Sequence, residues 1–266
     1  MPETRPMFRS FHARLMAALC CGVISGAAVM PMQAHSAPAD ANGFTPDQRR
    51  QIVDIVRDAL KTDPTILSDA LVALRKGAQQ QAQDDALKSV RDDRKALQSA
   101  PDYAVRGNIN GDITVVEFFD PRCGYCKSVV PLMDKLLASD SKIRLVEKVI
   151  PVLSEKSVLD AQAIYAAALQ GGYEKMKRAL MQDTAAPSLD RIRALATANQ
   201  LDAAKLVSDM HDPSVSKLIN ANLAEAREIG LDGTPTFIFG TASVVPGAVS
   251  YEDLQGYVAQ ARHAKG

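Results

Sequence analysis

Apolar and polar positions along the chain change period several times. Leu15 to Met30 is an uncharged apolar run. From residue 44 apolar side chains return at helical spacing, with Ile52, Ile55, Val56, Ala59 and Leu60 on one face and Ile66, Leu67, Ala70, Leu71 and Leu74 on another. Thr45-Pro46-Asp47 opens the first helix, pairing a capping oxygen with proline at the first helical position, and Asp63-Pro64 breaks it and starts the second. Between Gly77 and Ser99 the chain turns polar, with a thin stripe of Ala86, Leu87, Val90 and Leu97, and reads as a solvated helical arm or hinge.

Beyond residue 100 strand and helix signals alternate. Ile113–Phe119 and Ile143–Val149 read as buried strands, and strand character returns at Thr236–Gly240 and Val244–Val245. Helical stretches are expected at Ser128 to Ala138, through most of 154–230, and at Tyr251–Ala261. The pattern predicts an α/β domain over 101–266 with a helical insertion at about 154–230. Glu117 is the anomaly, because an ionised carboxylate inside so apolar a strand costs several kcal/mol unless paired or protonated.

The apolar run is preceded by Arg5, Arg9, His12 and Arg14 and followed by small residues from Gln33 to Ala39. That order describes a secretory signal peptide over 1–39, cut after Ser36 or Ala39, and the run is shorter than the ~20 residues of a usual membrane span. The alternative is an uncleaved anchor. Cys20 and Cys21 read as small apolar residues of the run. The sequence therefore predicts export and cleavage.

Composition adds three constraints. A chain of 266 residues that is 47% hydrophobic supports a packed core and excludes disorder throughout. Basic and acidic residues balance at 31 each, so no field holds a nucleic-acid backbone. The two helices of 40–76 cannot offset their ordering entropy alone, since units below ~40 residues seldom fold by themselves. Their apolar faces need the main domain or further copies of the chain, and the polar linker 77–100 favours self-association.

The remaining cysteines are Cys123 and Cys126, spaced Cys-X-X-Cys between a strand and a helix. At the start of that helix Cys123 meets unpaired N–H groups and the positive end of the helix dipole, which favours thiolate and makes it the nucleophile. Cys126, one turn on, is the resolving thiol. Arg122 and Lys127 add positive potential, which Asp120 opposes. Glu117 would exchange a proton with Cys126; otherwise it is a strand residue at a polar edge. Structural zinc does not fit, because His211 and His263 lie far away and read as surface residues. Lys127 stands where haem attachment needs histidine, and a static disulfide across so small a loop adds little stability. Redox chemistry fits best. The rivals are a module holding Cu(I) between two thiolates and a helical interaction protein with an incidental pair.

Phe118-Phe119-Asp120-Pro121-Arg122-Cys123-Gly124-Tyr125-Cys126-Lys127, with Glu117 upstream and Gly233-Thr234-Pro235-Thr236-Phe237 downstream, resembles the DsbA-like branch of the thioredoxin superfamily. The resemblance implies a thioredoxin fold with an inserted helical domain and a cis peptide before Pro235. It also implies substrate contacts at Thr234, Pro235, Gly124 and Tyr125, with no cofactor beyond the redox-active cysteine pair and no metal. The extension and the Cys-Gly-Tyr-Cys motif resemble the suppressor-of-copper-sensitivity C (ScsC) type. That likeness implies an N-terminal helical oligomerisation stalk, a homotrimer, and disulfide isomerase or reductase activity on misoxidised exported proteins. A membrane-embedded thiol reductase would be its partner. Disulfide-forming oxidase activity and Cu(I) binding stay open.

Overall fold

The computed structural model describes residues 43–265, so the leader expected over 1–39, with Cys20 and Cys21, lies outside the described residues. The chain divides into two units, one ending at Pro64 and one beginning at Thr65. The described part of the first is α1, Pro46–Thr62. A reciprocal cap starts it: the Gln48 N–H donates to Thr45 Oγ1 at 3.3 Å, and the Thr45 N–H donates to Gln48 Oε1 at 2.9 Å. None of the helix is buried, and Ile52, Val53, Ile55, Val56 and Leu60 stand exposed.

The second unit begins with α2, Thr65–Asp92, followed by the short α3, Arg94–Leu97. Its first turns expose Ile66, Leu67, Leu71, Val72 and Leu74. The end of α2 differs from the sequence expectation. Ala86 and Val90, with Leu97 of α3, are buried against Val116, Phe118, Val146, Ile229 and Ile238. The stripe that reads as part of a solvated arm thus belongs to the core of the α/β domain, because the sheet needs an apolar cover on that face.

The sheet is built from β1 (Val105–Gly107), β2 (Ile113–Phe119), β3 (Ile143–Val149), β4 (Thr236–Phe239) and β5 (Ser243–Pro246), in the order β1-β3-β2-β4-β5. β2 and β3 run parallel with Glu117 opposite Glu147; every other pairing is antiparallel. Between β2 and β3 lies α4, Gly124–Ser139, which starts earlier than the sequence suggests because Cys123 caps it. The insertion between β3 and β4 is α5 (Glu155–Ala168), α6 (Tyr173–Gln182), α7 (Leu189–Ala198), α8 (Ala203–Asp209) and α9 (Pro213–Ile229), and α10, Tyr251–Lys265, closes the chain.

Strand periodicity divides the core. Val115, Leu145, Phe237 and Phe239 face α4 and α10, whereas Val116, Val146 and Ile238 face α9 and the end of α2. The ends of β2 and β3 bring Phe119 and Val149 into a third cluster with the insertion, and Cys123 and Cys126 belong to it. β1 is absent from the sequence expectation. It pairs with the edge of β3, and Gly107 makes the close approach possible: at φ 71° a Cβ there would lie 2.5 Å from the Ile143 carbonyl oxygen.

Candidate active site

β2 ends in Asp120-Pro121-Arg122, and Cys123 follows as the N-cap of α4. Asp120 is buried and fixes this corner. One of its carboxylate oxygens accepts the Arg122 N–H at 2.7 Å, and the other accepts those of Val152 and Leu153 at 2.9 and 3.1 Å. Both cysteines are free. The Cys126 N–H points at Cys123 Sγ at 3.4 Å, and Sγ lies 3.2 Å from the Thr234 carbonyl oxygen. Thr234 precedes Pro235 through a cis peptide, as the family resemblance implies, and its carbonyl places the loop before β4 against the Cys123 sulfur. Gly124 is the first residue of α4, and Tyr125 projects from it, 71% exposed.

The two sulfurs occupy different settings. Cys123 is 5% exposed, little for a nucleophile that must meet a substrate, because the Thr234 carbonyl and the insertion crowd it. Cys126 is fully buried. Burial is the main force pushing its thiol up, and the Thr234 hydroxyl and an N–H interaction at Asp120 offset part of that. The Thr234 hydroxyl is itself buried without a hydrogen-bond partner of normal geometry.

Glu117 is buried, and no hydrogen bond joins it to either cysteine among the described residues. It lines a small cavity with Arg106, Phe119, Val130, Met133, Glu147, Lys177 and Met181. Lys177 Nζ bonds both oxygens of Glu147, at 2.7 and 2.6 Å, and Arg106 reaches Oε1 of Glu147 at 3.2 Å. Both cations thus bond Glu147 rather than Glu117, and they are shared with Glu174 and Asp134. Burial, and then the charge of Glu147, push the Glu117 carboxyl up to about 8, against the pull of Lys177 and Arg106.

Arg122 and Lys127 do not simply add charge beside the sulfur. Arg122 turns toward Asp160 of α5, and Lys127 donates to the Asp183 carbonyl oxygen at 3.0 Å. His211 and His263 are exposed, and no group of three or more His, Cys, Asp or Glu side chains is arranged for a metal among the described residues. The sequence reading passes over Glu147, Lys177 and Asp160. Glu147 carries the same signal as Glu117, a carboxylate within an apolar strand run.

The DSBA-like thioredoxin domain model matches residues 114–259, more than half of the chain. The chain belongs to the DsbA-like thioredoxin family. A second model, the Copper resistance protein ScsC N-terminal domain, matches residues 48–81, which comprise most of α1 and the first half of α2. A thioredoxin-like oxidoreductase from Silicibacter pomeroyi is 37% identical, with a TM-score of 0.60, covering 64% of this chain and 98% of that one. A linker-deletion mutant of Proteus mirabilis ScsC is 25% identical, with a TM-score of 0.58, covering 84% of this chain and 98% of that one. The chain thus carries a DsbA-like thioredoxin domain, and its N-terminal region is similar to that of ScsC. A Na(+)/H(+) antiporter from Salinispora tropica is 31% identical over 137 residues. That match takes in 50% of this chain and 21% of the antiporter, so the chain spans about a fifth of the length of the curated relatives it matches. No described helix is long and apolar enough to cross a membrane.

Proposed function

We propose that this DsbA-like protein is an exported, periplasmic disulfide isomerase or reductase that acts on misoxidised exported proteins. The observation that carries the reading is the Cys123 sulfur set between the Cys126 N–H and the Thr234 carbonyl, beside an exposed Tyr125. A client strand laid along the Thr234–Pro235 loop would bring its disulfide to this sulfur. The Cys123 thiolate attacks one client sulfur and the other leaves as a thiolate, giving a mixed disulfide. A second client thiolate then attacks the Cys123-bound sulfur, which rearranges the client; alternatively Cys126 attacks Cys123 Sγ, which releases reduced client and oxidises the pair. Cys126 must lose its proton to attack, and Glu117 is the group assigned to exchange it. In the reductive cycle a membrane-embedded thiol reductase returns the pair to the dithiol.

The exposed apolar faces of α1 and of the first turns of α2 support self-association, and a homotrimer is the assembly proposed here. Several linked sites acting on one client favour rearrangement over single reduction. The antiporter likeness is not read as transport, because it leaves most of that protein unmatched. The reduced protein is expected to restore activity to scrambled ribonuclease, and Cys123→Ser to abolish the effect. Activity that persists in the serine variant rejects the assignment. Faster oxidation of reduced ribonuclease than repair of scrambled ribonuclease would make the protein an oxidase instead.

A second reading rests on the copper-resistance name of the matched N-terminal model. In it the thiolate pair holds Cu(I). Titration of the reduced protein against a Cu(I) chelator separates the two, since tight stoichiometric binding without thiol exchange favours the module.

A further inference from the structure

Apart from the cysteines and Glu117, one ionisable group beside the active-site corner has no role in the chemistry above. Asp160, on α5, is fully buried, and neither of its carboxylate oxygens has a hydrogen-bond partner. A buried carboxylate left so is costly unless a nearby charge compensates it. The charged groups facing it are Arg122 and Asp120 from the corner before α4, Lys127 from α4, and Asp183 from the end of α6. Arg122 Nη1 stands 3.6 Å from Asp160 Oδ2. Arg122 also donates to the Ala185 carbonyl oxygen at 3.4 Å, and Asp183 is bound by Arg191 at 2.8 Å. The guanidinium next to the nucleophile in sequence is therefore drawn onto the insertion, against a carboxylate that accepts no hydrogen bond.

We propose that Asp160 is a positioning residue for Cys123, acting through Arg122: it holds the guanidinium on α5 and cancels its charge, so the oxidising strength of the cysteine pair depends on whether Asp160 is ionised. Burial pushes this carboxyl up to about 6, with Arg122 and Lys127 pulling it down and Asp183 and Asp120 pushing it up, so its charge changes in mild acid. When Asp160 is neutral, the charge of Arg122 is uncompensated and favours the Cys123 thiolate, which is the reduced form. The inference rests on Cys123 being the attacking thiol, a point the Cys123→Ser assay reports separately.

The test is equilibrium with glutathione. Two glutathione thiols reduce the Cys123–Cys126 disulfide: one S–S bond breaks in the protein and one forms between the glutathiones, with two electrons transferred. Cys123 is left as thiolate, Cys126 takes one proton, and the other is released to solvent. In the full chain at neutral pH, Asp160→Asn is expected to shift this equilibrium toward the dithiol by roughly threefold to tenfold. The thiolate absorbance of Cys123 should also persist to lower pH. In an Arg122→Gln background the same change should lose most of its effect. An undiminished effect there would place the action directly on the sulfur and overturn the proposal, as would an unchanged equilibrium in a folded Asp160→Asn protein. If circular dichroism finds that variant unfolded, the wild type answers, because coupling is reciprocal. Carbon-13 resonance of the Asp160 carboxyl should titrate at lower pH in the oxidised than in the reduced protein, and identical titration in the two rejects the idea.

Discussion

Glu117 and Glu147 sit opposite each other on neighbouring parallel strands, and the lysine and arginine nearby serve only one of them. The other carboxyl, pushed up to about 8, is mostly protonated at neutral pH, and its ionised fraction is the form that can accept a proton from Cys126. Because the folded state holds that proton more tightly than the unfolded chain, the stabilisation is complete below about 4.5 and is lost as pH rises through about 8. Glu117→Gln removes the ionisation. Thermal melts should therefore coincide near pH 4 and separate at pH 8.5, with the variant the more stable by a few kcal/mol, on the order of 3–5. Equal melting at both values would contradict this account of the site. Asp134 carries the opposite sign. Arg178, and then Arg106, hold its carboxyl down to about 2 against burial, so its contribution is lost as pH falls from about 4 toward 2. Asp134→Asn should flatten the acid limb of the stability curve, measured by urea unfolding between pH 5 and 2.5. Part of this is legible in the chain, since a carboxylate flanked by Val116 and Phe118 announces itself, and so does Glu147 between Val146 and Lys148. Asp160 does not. It reads as one polar position on an alanine-rich helix, and only the packing of α5 under the β2–α4 corner makes it unusual.

At the scale of elements, β2 and β3 can be bounded to the residue because both begin and end on apolar residues, are bounded by turn formers and are covered on both faces. β1 cannot, because Val105-Arg106-Gly107 has no period of its own and pairs only where β3 offers an edge. The end of α2 misleads for a related reason. A stripe as thin as Ala86, Val90 and Leu97 looks solvated until the face of Val116, Phe118 and Ile238 needs a cover. Leu97→Ala should therefore cost about 2–4 kcal/mol in domain stability, measured by denaturant unfolding. Leu67→Asp, on the exposed part of α2, should leave the melting of the domain unchanged and lower the mass of the assembly in solution. A domain destabilised as much by the second change as by the first would deny the distinction between the two halves of the helix.

For the whole molecule, the division into units falls before α2, and within α2 burial begins only at Ala86. Deletion of residues 40–76 is expected to leave Cys123 reactive and the protein monomeric, with repair of scrambled ribonuclease weakened more than simple reduction of a client. Deletion of 40–99 removes Ala86, Val90 and Leu97 from the core and should destabilise the domain itself, seen as a lower midpoint of unfolding. α2 also has a mechanical consequence. Its final turns are gripped by α9 and the sheet, whereas the preceding stretch, from Thr65 to about Asp85, carries no buried residue and extends for about 30 Å. Such a rod works as a lever with its fulcrum at Val90: a tilt of roughly 10° there carries the tip at Thr65 through about 6–7 Å. Small repacking beneath Ile229 and Val244 is thereby amplified into a large sweep of the distal helix end.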